Sequence, residues 1–280
     1  ADKARALTDG LRRSLLPRVT ALCIASWNVN GLRACAKKGF LAWVSSTKPE
    51  VIGLQEVRAL PQELPQEVQA MKMHRHFAPA EKRGYSGVAL FSKLAPDGVE
   101  TALVRRFEVE GRMILAHFGA LTVCSTYVPK GSGTARDNSR IPYKLAFDRA
   151  LRKRLNLLRA EGRRVIVMGD FNTAHQEVDL ARPKQNQENS GFRPEERRAF
   201  GLWMQDGYVD TFRHFEPSGG HYSWWSQRGG LREKNVGWRI DYVLACPEAM
   251  RFVKQAFISS TVRGSDHCPV GVRVDRKILG

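Results

Sequence analysis

Metal-binding cysteine patterns are missing from this 280-residue chain. Its five cysteines (23, 35, 124, 246 and 268) are odd in number and never stand in a Cys-x-x-Cys or Cys/His ligand spacing. That excludes a zinc site and a disulfide framework as organising features, and a reducing compartment is expected. Cys23, Cys124 and Cys246 lie inside apolar runs and read as small core residues. No apolar run approaches the length that spans a bilayer. Residues 1–20 carry several arginines but no hydrophobic signal core, so neither secretion nor a membrane anchor is expected. Internal repeats and low-complexity tracts are absent as well. Acid is scarce: 45 Lys and Arg stand against 28 Asp and Glu, a net charge of +17. Such a balance points to a polyanionic partner, nucleic acid ahead of an anionic membrane surface.

What is present is a recurrent local design, an apolar β-branched run ending abruptly in acids or amides. It occurs at 21–31 (ALCIASWNVNG), 49–56 (PEVIGLQE) and 163–172 (RRVIVMGDFN). Each reads as a buried strand that delivers polar groups at its end. Further strands are expected at 88–92, 113–118, 121–127, 240–245, 251–259 and 270–274. Short polar turns between many of them suggest hairpins and antiparallel pairing. Helices are expected at 37–47, at 144–161 with Phe147, Leu151, Leu155 and Leu158 at helical spacing, and at 194–205 behind Pro194. Strands in the majority, with helices long enough to cover them, suggest two packed sheets flanked by helices. With no linker in view, the organisation read is a basic arm or extra helix at 1–20 and a single catalytic domain at 21–280.

An isolated acid at a strand end is most often a solvated turn residue. Here the ends supply Asn28, Asn30, Glu56, Asp170, Asn172, Asp241, Asp266 and His267, and strands that end at one rim bring such groups to one cleft. Asp241 stands in an otherwise apolar strand, RIDYVLA, and needs a partner, for which His267 is available. Oxygen donors without thiolates suit Mg²⁺, with Mn²⁺ as the alternative, and Glu56 with one amide or second acid suffices to hold it. The set fits metal-assisted hydrolysis of a phosphate ester. The triplet Asp266-His267-Cys268 admits three readings by itself: a metal site, a nucleophile with its base, or a turn into the last strand. In extended chain neighbouring side chains face apart, which argues against joint action by all three and leaves Cys268 as a packed thiol.

The blocks WNVNGLRA, IGLQE, YVP, GDFN, RIDY and SDHCP, in this order over roughly residues 22–275, resemble the exonuclease III group of apurinic/apyrimidinic (AP) endonucleases, within the endonuclease/exonuclease/phosphatase superfamily. The resemblance implies a four-layer α/β sandwich whose two mainly antiparallel or mixed sheets pack face to face between helices. It implies Glu56 as principal Mg²⁺ ligand, with Asn28, Asn30 and Asp266 near the metal and its waters. Asp170 takes the place of the residue that orients or deprotonates the attacking water, and Asn172 helps to hold it. His267, held by Asp241, matches the phosphate-binding imidazole, and Tyr127 the phenol that touches the scissile phosphate. Trp224, Trp238 and Ile240 match the apolar pocket for a base-less sugar, whereas Trp225 reads better as core. Asn186 and Asn189 match amides that approach the target nucleotide.

The activity so implied is Mg²⁺-dependent hydrolysis of the phosphodiester 5′ to an abasic site in duplex DNA, leaving a 3′-hydroxyl, with 3′-phosphodiesterase or 3′–5′ exonuclease activity alongside. A monomer is expected, in the cytoplasm or nucleoid of a bacterium or the nucleus of a eukaryote. A lipid or inositol phosphatase and a non-specific nuclease are the competing enzymes; the +17 charge and the segment Trp-Arg-Ile-Asp weigh against the first. A catalytically dead DNA-binding module conflicts with the complete set of site residues. Arg149, Arg152, Lys153, Arg228, Arg232, Lys234 and Arg239 are candidates for tracking phosphates. Lys130 departs from the family pattern, standing where relatives place an amide or a small polar residue, and Val57 stands where threonine is usual.

Overall fold

The computed structural model describes residues 21–135 and 137–280, and every strand expected from the sequence is present in it. In chain order the strands are β1 (Ala21–Asn28), β2 (Val51–Gln55), β3 (His74–Ala78), β4 (Val88–Ser92), β5 (Gly98–Glu100) and β6 (Met113–Phe118). They continue as β7 (Leu121–Tyr127), β8 (Arg164–Asp170), β9 (Val209–Asp210), β10 (Asp241–Ala245), β11 (Val253–Ile258) and β12 (Val270–Asp275). Two six-stranded sheets result, in the orders β11-β12-β1-β2-β4-β3 and β5-β6-β7-β8-β10-β9. Antiparallel pairing dominates, as the short turns suggest. The exceptions are β1 with β2 and β7 with β8, which run parallel. A parallel pair needs a crossover. Helical residues 32–47 supply the first, and helix α1 (Ile141–Ala160) the second. Mixed sheets packed face to face with helices outside make the four-layer sandwich. The proposed N-terminal arm at 1–20 lies outside the described residues.

Burial on both faces explains why the strands read as continuous apolar runs instead of alternating ones. In β1, Leu22 and Ile24 enter the core shared by the two sheets, while Ala25 and Trp27 pack outward under residues 32–47. Trp27 meets Trp43 edge-on at 5.3 Å, and its indole Nε1 donates to the carbonyl of His267 at 3.2 Å. The helix expected at 37–47 begins at Leu32 and passes Gly39, whose φ is 141°. A Cβ at Gly39 would lie 2.8 Å from the Arg263 carbonyl oxygen. Glycine thus lets this helix close onto the loop that leads to His267. All five cysteines are buried and free, with Cys23 and Cys124 inside apolar strands and Cys246 directly after one.

Helix α1 starts three residues before its expected first residue, with Pro142 in the first turn where a missing N–H costs nothing. Phe147, Leu151, Leu155 and Leu158 form its buried stripe, each contributing roughly 1.5–3 kcal/mol on full burial. Asp148 on the same helix is buried too, and its Oδ1 accepts from Trp203 Nε1 at 2.8 Å. Burial pushes its carboxyl up to about 6, against Trp203, Arg152 and Lys144. A carboxyl whose folded value is raised binds its proton more tightly in the folded chain, so stability is lost as pH rises from the unfolded value near 4 through 6. Asp148→Asn keeps the bond to Trp203 and removes that penalty. Its unfolding free energy at pH 7.5 should exceed wild type by about 1–3 kcal/mol, with the gain vanishing near pH 4 in parallel denaturant titrations.

Candidate active site

The two parallel pairs point their C-terminal ends the same way, and the register completes the rim. Asn28 ends β1 beside Gln55, Tyr127 ends β7 beside Asp170, and Asp241 opens β10 opposite Asp170. Sheet-to-sheet contact is close beneath this rim: a Cβ at Gly53 would come within 2.6 Å of Ser125 Oγ. A buried polar layer then joins the sheets, Ser26 Oγ donating to Gln55 Oε1 at 3.2 Å and Gln55 Nε2 to Ser125 Oγ at 3.0 Å. The chain leaves three of the strands through left-handed residues, Asn30 (φ 45°), Glu56 (φ 51°) and Asn172 (φ 48°). Asparagine tolerates this conformation, whereas for glutamate it costs roughly 1–2 kcal/mol. Strain held at Glu56 is the kind that the surrounding structure maintains at functional sites.

Asn28, fully buried, ties the acids together. Its Nδ2 donates to Glu56 Oε1 at 2.9 Å and to Asp170 Oδ2 at 2.8 Å, and its Oδ1 accepts from Asn30 N at 3.0 Å. Arg58 caps the other Glu56 oxygen. Burial raises the Glu56 carboxyl, but Lys130, Arg58 and Asn28 outweigh it and hold Glu56 ionised. Burial pushes Asp170 up to about 7, against His267 and Lys130. A base poised there suits proton transfer near neutrality. Asn172 braces it through its backbone N–H, 2.8 Å from Asp170 Oδ1, while Asn172 Nδ2 is anchored on the Val128 carbonyl at 2.8 Å.

His267 Nδ1 donates to Asp241 Oδ2 at 2.8 Å, and its Nε2 lies 3.9 Å from Asp170 Oδ2. Burial opposes charge on this ring, but Asp241, with Asp170 and Asp266 behind it, pushes it up to about 9. It is therefore an imidazolium at neutral pH, a fixed cation at the rim. Ser223 Oγ donates to the same Asp241 oxygen at 2.7 Å. Tyr127 is buried, and burial together with the Glu56 and Asp170 charges keeps its phenol protonated; Arg112 stacks 4.6 Å from its ring.

Glu56, Asp170 and His267 bring donor atoms within 4.8 Å of one another. Two buried carboxylates that share one neutral donor can accommodate a divalent cation, and the oxygen-rich set fits a hard ion. Asp266 stands outside that group: its Oδ1 accepts from Asn30 Nδ2 at 2.8 Å and its Oδ2 from Trp224 Nε1 at 3.0 Å. Despite burial, His267, Trp224 and Asn30 hold it ionised. Asp266 and His267 thus serve different partners, and Cys268 packs with Tyr222 and Trp225 in a small core.

Beside His267 opens a cleft of about 170 Å³. Trp224, Trp238 and Ile240 line it, with Lys130, Asn172 and Asn189 around them. Trp224 and Trp238 meet edge-on at 6.4 Å, and Phe192 backs Trp238 at 6.4 Å. Asn186 does not line this cleft; its Oδ1 accepts from Asn189 Nδ2 at 2.7 Å and so holds Asn189 from behind. Among the phosphate-tracking candidates, Arg239 is corrected. It is 1% exposed and bonded to Asp179 and Asp210, because a buried guanidinium must have its charge answered. Arg232 spends its guanidinium on the carbonyls of Ser260, Val262 and Ser265. Arg58, Ser223, Gln55 and Ser125 were not singled out by sequence. Arg58, two residues after Glu56, is the one whose position carried a signal.

The chain matches the Endonuclease/Exonuclease/phosphatase family over residues 25–267. It is 41% identical over 250 residues to an exodeoxyribonuclease of Bacillus subtilis, covering 88% of this chain and 97% of that protein. It is 37% identical over 256 residues to a DNA-(apurinic or apyrimidinic site) endonuclease of Dictyostelium discoideum, covering 90% and 70%. The solved structure of an AP endonuclease from Archaeoglobus fulgidus superposes with a TM-score of 0.81 at 26% identity, covering 91% of this chain and 99% of that one. The chain belongs to the Endonuclease/Exonuclease/phosphatase family and stands within it among the exonuclease III-type nucleases.

Proposed function

We propose that this chain is a divalent-metal-dependent endonuclease that hydrolyses the phosphodiester 5′ to an abasic site in duplex DNA and leaves a 3′-hydroxyl, with removal of 3′-terminal groups as a second activity of the same site. The observation that carries the reading is the adjacency of the His267 imidazolium to an apolar cleft walled by Trp224, Trp238 and Ile240. A phosphate is held at one end and a sugar without its base fits the other, where an attached base would clash after flipping. Asp170 accepts the proton of a water that the Oδ1 of Asn172 helps to orient. That water forms the new bond to phosphorus as the bond to the 3′-oxygen breaks, and the leaving oxygen takes up a proton from solvent water to become the 3′-hydroxyl. His267 and Tyr127 donate to the phosphate oxygens as charge builds on them. Glu56 would hold Mg²⁺, or Mn²⁺ in its place, with Asn30 and Asp266 beside its waters; bound there, the ion would neutralise phosphate charge. Lys130 at the cleft mouth adds a further cation. The reading extends to a monomer working where DNA is, the cytoplasm and nucleoid of a bacterium or the nucleus of a eukaryote. Among the described residues no helix is long and apolar enough to cross a membrane.

On a duplex with one abasic analogue, the expected product is a nick 5′ to the analogue whose 3′ end primes a polymerase. A nick on the 3′ side, or a blocked 3′ end, would overturn the reading. Glu56→Gln should move the midpoint of the Mg²⁺ titration of activity upward by about 10-fold or more, the scale on which altered metal-site groups act. An unchanged titration would contradict the ligand role.

A further inference from the structure

A buried ion pair behind the site has no part in the chemistry so far described. Lys144 of α1 and Glu196, in the first turn of helix α2 (Pro194–Gln205), are 3% and 1% exposed, with Nζ and Oε1 2.6 Å apart. Each partner reaches a different wall of the site. Lys144 Nζ donates to the Asn172 carbonyl at 2.6 Å. Glu196 Oε2 accepts from Gly191 N at 2.6 Å, and Oε1 from Ser190 Oγ at 3.2 Å.

Gly191 is the point where these walls touch. Its φ is +96°, and a Cβ there would lie 3.1 Å from the Asn172 carbonyl oxygen and 3.3 Å from Trp238 Cζ3. Gly131, next to Lys130, is equally tight, since a Cβ would lie 2.9 Å from Glu196 Oε1. The pair therefore meets the segment bearing Asn172, the cleft wall at Gly191 and Trp238, and the loop bearing Lys130.

Such a pair adds little net stability, and apolar side chains of similar volume often do better. Its directional bonds, unlike apolar packing, fix where the Asn172 segment and the Ser190–Gly191 wall stand relative to one another. We infer that Lys144 and Glu196 are positioning residues that lock the Asn172 segment to the wall at Gly191 and Trp238, and so set how sharply the cleft separates a base-free sugar from an intact nucleotide. This rests on the abasic-site reading above.

The test compares wild type with Lys144→Met/Glu196→Leu for melting temperature, kcat, KM and the ratio of cleavage on abasic and intact duplexes. The double variant should fold but melt a few degrees below wild type, because the Asn172 carbonyl and the Gly191 N–H lose their buried partners. Its kcat should fall by about 10–100-fold, the usual effect of displacing reacting groups by an ångström or less. KM should change little, and the abasic-to-intact ratio should fall by about 10-fold, because the wall no longer excludes a base. A folded double variant with wild-type kcat and ratio overturns the inference. If the double variant does not fold, Lys144→Arg decides: it keeps the charge but widens the contact, so the ratio should fall while the melting temperature holds, and a wild-type ratio overturns the inference. Wild type without preference for abasic sites overturns both this inference and the functional reading. Wild type with that preference, beside an unaltered variant, overturns the inference alone.

Discussion

Asp170→Asn should lower turnover on an abasic duplex by about 10²–10⁴-fold, the range for loss of a general base, while DNA affinity stays within a few-fold. The side chain is fully buried, and its two oxygens already accept from Asn28 Nδ2 and Asn172 N. An asparagine must turn its own NH₂ toward one of those donors, so one bond is lost whichever way it flips. That mismatch costs stability by roughly 1–3 kcal/mol, too little to unfold a chain of this size but a check on the interpretation. The larger loss is chemical, because the group poised near neutrality to take a proton is gone. Single-turnover cleavage gives the rate and fluorescence anisotropy gives the affinity. Binding that collapses together with the rate would show Asp170 to be structural.

His267→Ala should cost about 10²–10³-fold in turnover, the scale on which one stabiliser of transition-state charge acts. Two effects separate here. The imidazolium that faces Asp170 and the cleft disappears, and Asp241, 2% exposed, loses its cation. Breaking a buried pair from one side costs about 3–5 kcal/mol in general. Ser223 Oγ and its bond to Asp241 should soften that here. Asp241→Asn should lower turnover less, since it keeps the ring in place and removes only what charges it. Because the two residues act as a unit, the double variant should be little worse than His267→Ala alone. Fully additive losses would mean that Asp241 works independently of His267.

Much of this site was visible in the sequence because strands advertise their ends. Asn28, Glu56 and Asp170 each close an apolar run, and Asp241 is conspicuous as a carboxylate in an otherwise apolar one. The convergence of those ends depends on two parallel pairings that no local pattern encodes, and on the left-handed turns at Asn30, Glu56 and Asn172. Strands β3, β5 and β9 escaped notice because all three are sheet edges. Edge strands are short or charged, and HRHFA carries two histidines and an arginine where a central strand would carry valine. Gln55 and Ser125 are 70 positions apart, and their contact exists only once the sheets are stacked. Arg239 was misread for a related reason: sequence shows its charge but not the two aspartates that bury it. Asp266, legible as an acid beside His267, turned out to spend both oxygens on Asn30 and Trp224.

The most direct measurement is a cleavage map of two otherwise identical duplexes, one intact and one with a single stable abasic analogue, each incubated with Mg²⁺ or with EDTA. The account predicts one Mg²⁺-dependent cut, immediately 5′ to the analogue, and none at the matching position of the intact duplex. Equal nicking of both duplexes, or cleavage that persists in EDTA, would contradict it.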